Sequence, residues 1–452
     1  EYADLLLPVA SHGASSPATN KALELMAEFA IAPERGRDGH RLVIVAKTTA
    51  VDERLTRLPG FTAIDVELPD VGERRALLNR ALMPESGPPM KLADGLTAET
   101  FANLSGGLQL NDLVLARQES LHGRDIGRDW VQSQKVAALR RVAGDSLTVY
   151  PPGNGLEDVA GLPQLRRITQ EALATGTPPR RLLLCGPPGV GKTLCVTSVA
   201  DELGLPATAL GSVRSMWLGE SERNMRRVMD AVTALAPALL HIDEIDQALG
   251  QRQTGQSADG GTSERLMADI MTFLGSNNGP RVTVIGTSNR PDLLDPAMFD
   301  RFTIVPVLHP TAPEAAQILS IAARREGRTL DVAAAEQVVR AHGGLVTGRT
   351  LVDVLDRAIT FADTDNLHTR VDRHHLEAAF SDLLMAVDQI EHERLALLAI
   401  SLSTFRSYLP WEAARHLGLP VEIPTYVKPL LDHADQLDEK KVRDRLKELS
   451  SR

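Results

Sequence analysis

Apolar residues recur along this chain in two rhythms. Short, largely apolar runs, Leu182–Cys185, Ala238–Ile242 and Val282–Ile285, have the length and character of strands buried on both faces. Segments such as Arg74 to Leu82 and Leu194 to Leu203 instead repeat their apolar positions every three or four residues, as amphipathic helices do. The spacing also predicts helices within Glu391 to Tyr408 and Glu439 to Leu449, with Pro410, Pro420 and Pro424 breaking the stretch between them. Lys440 to Lys447 reads as a solvated helix face. Two stretches lack either rhythm: Tyr150-Pro-Pro-Gly-Asn-Gly155, which reads as a linker, and the polar, Gly-rich Gly250 to Ser263, which reads as a loop. Buried strands alternating with helices predict an α/β fold with a parallel sheet.

The junction after the first of these runs carries chemistry. Leu182–Cys185 leads into Gly186-Pro-Pro-Gly-Val-Gly-Lys192-Thr193 and then into a helix. In a strand–loop–helix setting such glycines let backbone N–H groups curl around phosphates, and the helix N-terminus adds positive dipole. This is a P-loop: Pro188, Gly189, Val190, Gly191, Lys192, Thr193 and Leu194 are expected to contact a nucleotide. Lys192 reaches the β- and γ-phosphates, and Thr193 holds Mg²⁺. ATP and Mg²⁺ are therefore the expected cofactors. Ala238–Ile242 ends in Asp243 and Glu244, and an open parallel sheet presents such acids at its ligand-binding edge. Phosphoryl transfer needs one acid to organise the metal, here Asp243, and one to orient water, here Glu244.

Composition narrows the setting. The chain has 452 residues, enough for two or three domains, with 49 Lys+Arg against 59 Asp+Glu for a formal charge of −10. An acidic chain without a basic stripe disfavours nucleic acid as the primary partner. No apolar run approaches the ~20 residues of a membrane span. The two cysteines, Cys185 and Cys195, flank the P-loop as small core residues and fit a reducing compartment, so a cytoplasmic location is expected.

Val282–Ile285 continues into Gly-Thr-Ser-Asn289, then Arg290-Pro-Asp-Leu-Leu-Asp295 and Arg301. In order and spacing after the P-loop and the paired acids, this resembles the second region of homology of the AAA+ ATPases, close to the AAA proper subfamily, over roughly Leu156 to Leu384. The resemblance implies that Asn289 is the sensor-1 residue and that Arg301 is an arginine finger reaching a neighbouring subunit's nucleotide. It implies adenine contacts from Val159, Ala160 and Gly161, and a sensor-2 turn at Gly348 and Arg349 whose arginine meets phosphate. Only one arginine stands at the finger, Ala322 occupies a position often held by histidine, and Phe273 occupies one often held by an acid. Those departures bear on rate and fine geometry rather than on the site itself. On composition alone, Trp217 beside Met216 reads as core. By resemblance, Met216, Trp217 and Leu218 form a pore loop that grips an extended polypeptide, and 250–263 corresponds to a second pore loop.

The chain also echoes itself. Arg41–Thr49 parallels Arg281–Asn289, and Phe61–Glu67 parallels Phe302–Leu308. Thr49 then stands at the sensor position, Gly60 at the finger and Leu108-Gln109 near the sensor-2 turn, so the first copy lacks the chemistry of the second. The chain opens at Glu1 inside what reads as a buried segment, Tyr2 to Val9, which suggests a truncated first module from a longer parent. The expected organisation is a partial, degenerate AAA core at 1–67, its helical lid at 68–142, a linker at 143–155, an active core at 156–309, a second lid at 310–387 and a helical extension at 388–452. This tandem arrangement is similar to that of the valosin-containing protein and N-ethylmaleimide-sensitive factor type. The resemblance implies a homo-hexameric ring that hydrolyses ATP to unfold or remodel a polypeptide client, with adaptors unspecified. The alternative is a nucleotide-gated ring scaffold, and a nucleic-acid motor ranks below both.

Overall fold

The computed structural model describes residues 68–83, 88–143, 147–210, 229–246, 272–274, 282–384 and 388–451, apart from 94, 152 and 154, together with 21, 62, 64 and 270. Two compact units divide the chain, Glu1–Leu68 and Pro69–Arg452. The first lies almost wholly outside the described residues, and with it the expected degenerate core.

The second unit begins with four helices: α1 (Val71–Leu82), α2 (Ala98–Leu104), α3 (Leu110–Leu121) and α4 (Arg128–Ala143). Helix α1 starts at a capping box, Asp70 Oδ1 accepting from Glu73 N at 2.7 Å and Glu73 Oε2 from Asp70 N at 3.0 Å. Leu78, Phe101, Leu113, Ile126 and Trp130 fill the bundle core. The bundle is fastened to the sheet domain by polar contacts, including Lys135 Nζ to Pro237 O at 2.8 Å and Gln132 Nε2 to Asp201 Oδ1 at 3.1 Å.

Six strands form the sheet: β1 (Leu147–Val149), β2 (Arg181–Cys185), β3 (Ala207–Leu210), β4 (Ala238–Ile242), β5 (Val282–Ser288) and β6 (Thr303–Pro306). Their order is β1-β3-β4-β5-β2-β6, parallel throughout except for β1, which pairs antiparallel with β3. Thus part of the stretch that reads as a linker is an edge strand. Helix α5 (Pro163–Thr175) precedes β2, α6 (Lys192–Leu203) follows it, and the short α7 (Pro296–Phe299) lies between β5 and β6. Alternate residues of each central strand face opposite layers. Leu183, Leu240 and Val284 join one core, while Leu182, Leu184, Leu239 and Ile285 join the other. Burial on both faces explains the unbroken apolar runs.

A lid follows, built from α8 (Ala312–Arg325), α9 (Val332–His342), α10 (Gly348–Thr364) and α11 (Arg373–Asp382), with a small parallel pair β7 (Thr329–Leu330) and β8 (Arg370–Val371). The C-terminal extension adds α12 (Gln389–Ser401), α13 (Pro410–His416) and α14 (Glu439–Ser450). The helix predicted to Tyr408 stops at Ser401 because the next turn has another task. Thr404 pairs with the outer strand, Ile304 N donating to Thr404 Oγ1 at 2.8 Å and Thr404 N to Ile304 O at 3.2 Å. These bonds cover an otherwise open sheet edge. Trp411, Val427, Val442 and Leu449 close a separate core over Leu308, so α14 buries one apolar stripe while Lys440 and Lys447 stay in solvent. No helix among the described residues is long and apolar enough to cross a membrane.

Candidate nucleotide-binding site

Strand order brings the site together. β4, β5 and β2 are neighbours, and each delivers its functional residues from the carboxyl end: Asp243 and Glu244 after β4, Asn289 after β5, the Gly-rich loop after β2. The glycines are required by geometry. A Cβ at Gly186 would lie 1.9 Å from Val307 O, and Gly191, the N-cap of α6, has φ +90°.

Lys192 is buried at the first position of α6, its Nζ donating to Gly186 O at 2.8 Å, Pro187 O at 2.7 Å and Asn289 Oδ1 at 2.6 Å. Burial lowers its pKa to about 8. Asn289 Nδ2 points the other way, 3.5 Å from Glu244 Oε1, so the asparagine amide spans the space between lysine and carboxylate.

Glu244 has a left-handed backbone, φ +47°, a costly conformation for a residue with a Cβ. Two bonds hold it there: its N–H donates to Asp243 Oδ1 at 3.1 Å and to Thr287 Oγ1 at 3.2 Å. The Thr287 hydroxyl in turn donates to Asp243 Oδ1 at 2.5 Å. Behind it stands His241, fully buried, with Nε2 at 3.4 Å from Thr287 Oγ1 and Nδ1 at 2.7 Å from the Tyr150 hydroxyl. Burial lowers the His241 pKa to about 4 and, with Asp243 nearby, raises that of Tyr150 to about 12.

Lys192, Asp243, Glu244, Thr287 and Asn289 line one cleft of about 1200 Å³, with His241 and Tyr150 behind it. It gathers Val159, Ala160 and Gly161; Pro188 to Leu194; Asp243, Glu244 and Asn289; and Gly348 with Arg349. The turn at Gly348 and Arg349 sits on the Gly-rich loop, Arg349 N donating to Gly189 O at 3.3 Å. Arg301, which precedes β6, does not line the cleft. Met216, Trp217 and Leu218, and the loop 250–263, lie outside the described residues.

Sequence reasoning missed several contributors. Arg166 braces the segment 156–161 through Leu156 O and Val159 O, both at 2.8 Å, and Gly161 O at 3.2 Å. Pro410, Trp411 and Glu422 of the extension also line the cleft. Nothing in their local pattern marks them. His241 and Thr287 did carry a signal, as polar side chains inside apolar strand runs.

Oxygen-bearing side chains of the kind Mg²⁺ takes are present: Asp243 and Thr193 line the same cleft, with Asp243 Oδ1 engaged by two donors.

Residues 182–308 match the model of the ATPase family associated with various cellular activities (AAA). The chain is 37% identical over 251 residues to the ATP-dependent zinc metalloprotease FtsH 1 of Symbiobacterium thermophilum, covering 51% of this chain and 40% of that protein. It is 28% identical over 298 residues to the cell division cycle protein 48 homolog of Archaeoglobus fulgidus, covering 57% of this chain and 40% of that one. The matched region thus spans well under half of either relative. Among solved structures, the crystal structure of the FIGL-1 AAA domain is similar with a TM-score of 0.49 and 22% identity, over 59% of this chain and 95% of that domain. In sequence, the segment that carries β2 to β6 and the Gly-rich loop is thus similar to the AAA ATPase family and to FtsH and Cdc48 proteins.

Proposed function

We propose that this chain is an ATP-hydrolysing, ring-forming motor that unfolds or remodels proteins, gripping an extended polypeptide through Met216, Trp217 and Leu218. The observation that carries the proposal is the convergence of Lys192, Asp243, Glu244 and Asn289 on one cleft from three adjacent strand ends. Lys192 binds the β- and γ-phosphates, Asp243 and Thr193 hold the metal, and Glu244 orients water for attack. Bound Mg²⁺ supplies neutralisation of the phosphate charge. Asn289, bonded toward both Lys192 and Glu244, keeps the cation and the water-orienting carboxylate in register. Val159, Ala160 and Gly161 face the base, and Gly348 and Arg349 close over the phosphates.

Arg301 acts in the neighbouring subunit of a homo-hexamer, so its place off its own cleft is where such a role requires it. The first module is a structural tier without hydrolysis. A polypeptide client is favoured over nucleic acid by the formal charge of −10 and by a relative that is itself an ATP-dependent protease. The motor works in the cytoplasm, where Cys185 and Cys195, both free and buried, remain reduced.

The test is Trp217→Ala. ATPase activity persists while processing of a folded protein target is lost; retained processing removes the threading mechanism. A pull-down with Glu244→Gln identifies the client, since blocked hydrolysis holds it in the channel. Full function with Glu244→Gln would instead make the ring a nucleotide-gated scaffold.

A further inference from the structure

The bonds behind Asp243 form a continuous chain that the nucleotide chemistry does not use. Thr287 has one hydroxyl proton, and it is committed to Asp243 Oδ1 at 2.5 Å. Its oxygen therefore accepts from His241 Nε2–H at 3.4 Å, as it does from Glu244 N–H at 3.2 Å. With the ring proton on Nε2, His241 Nδ1 accepts from the Tyr150 hydroxyl at 2.7 Å. Every donor in the series points toward Asp243. His241 is 0% exposed in the otherwise apolar β4, so loss of either partner strands a ring nitrogen in the core.

Tyr150 does not belong to the nucleotide-binding strands. It follows β1, the three-residue antiparallel edge strand, and is held there by Tyr150 N to Ala207 O at 3.0 Å. Strand β1 in turn follows α4, the last helix of the N-terminal bundle. A short edge strand is among the easiest parts of a sheet to displace. The effect on the site is local and geometric. Two donors fix Asp243 Oδ1, which leaves the other carboxylate oxygen outside those two bonds on a residue that lines the cleft. If Thr287 turns, both that anchor and the bond holding Glu244 in its left-handed conformation are lost.

We propose that Tyr150, His241 and Thr287 form a positioning relay through which the segment joining the N-terminal bundle to the ATPase domain sets the orientation of Asp243, and with it the metal affinity of the site. This rests on the reading of Asp243 as the Mg²⁺-organising acid.

The experiment is Mn²⁺ binding to the full chain in the presence of ADP, read by electron paramagnetic resonance, beside metal-free ADP affinity and thermal melting. Thr287→Val weakens Mn²⁺ binding by roughly tenfold, the size expected for loss of an outer-shell partner. Thr287→Ser, which keeps the hydroxyl, restores it. Tyr150→Phe shifts it in the same direction by a smaller factor, and metal-free ADP affinity stays unchanged in all three. A purely structural role would lower the melting temperature without separating metal from nucleotide affinity. Wild-type Mn²⁺ affinity in both Thr287→Val and Tyr150→Phe overturns the relay while Asp243→Asn still weakens the metal. Unchanged affinity in Asp243→Asn overturns the assignment of Asp243 and the relay together.

Discussion

Lys192 Nζ and Asn289 Oδ1 lie 2.6 Å apart, although 97 residues separate them in the chain. The contact exists because β2 and β5 are adjacent and in register, Cys185 opposite Ser288, so the residues just beyond each strand meet at the same edge. A lysine this buried needs oxygen partners, and the loop carbonyls of Gly186 and Pro187 complete the set.

The two residues separate in their kinetic effects. Lys192→Ala removes nucleotide affinity itself, and a fluorescent ATP analogue detects the loss directly. Asn289→Ala leaves nucleotide binding within a few-fold and lowers kcat by roughly 10²-fold, the scale of one lost positioning or transition-state contact. Equal losses of binding in both variants would contradict this division.

Arg301→Ala keeps nucleotide affinity, because the residue does not line its own cleft, and lowers turnover by roughly 10³-fold. Mixing this variant with Glu244→Gln subunits should restore part of the activity. In mixed rings some junctions pair an intact arginine with an intact carboxylate. No recovery on mixing counts against donation between subunits.

The extension contributes stability through Trp411, which is 1% exposed in the core it shares with Leu308. Trp411→Ala costs about 3–5 kcal/mol, as other large-to-small changes at buried aromatics do. Because Trp411 also lines the cleft, bound nucleotide should raise the melting temperature less in this variant than in the parent. Denaturant titration with and without ADP reads both effects.

Acid should loosen a second contact of the extension, between His309 and His392. His309 Nε2 and His392 Nδ1 lie 3.0 Å apart in the interior. Burial, then the neighbouring imidazole and Lys192, lowers the His309 pKa from 6.5 to about 3. The unfolded chain therefore takes up the proton first. Stability from this group is complete above about pH 6.5 and is lost as pH falls toward about 3, on the order of 2 kcal/mol by pH 5. His392 shifts in the same direction, mainly through burial. Urea midpoints at pH 8 and pH 5 check this, and His309→Gln should reduce the difference.

Much of the site was legible in the sequence because its parts are contiguous there. The loop from Gly186 to Thr193 and the acids Asp243 and Glu244 each follow a recognisable apolar run, and the backbone conformation they require is local. Asn289 was legible only as the end of another such run. Its bond to Lys192 depends on which strands are neighbours, and no local pattern records strand order.

The sequence by itself determined the α/β character and set the Gly-rich loop and the paired acids directly after apolar runs, since hydrophobic period and glycine spacing act over a few residues. Only the tertiary structure decided that Tyr150 pairs with His241, that Arg166 braces the segment 156–161, and that Thr404 covers the edge of β6. Those are contacts between distant segments, set by packing and by the need of buried polar groups for partners, and they appear only once the chain has closed on itself.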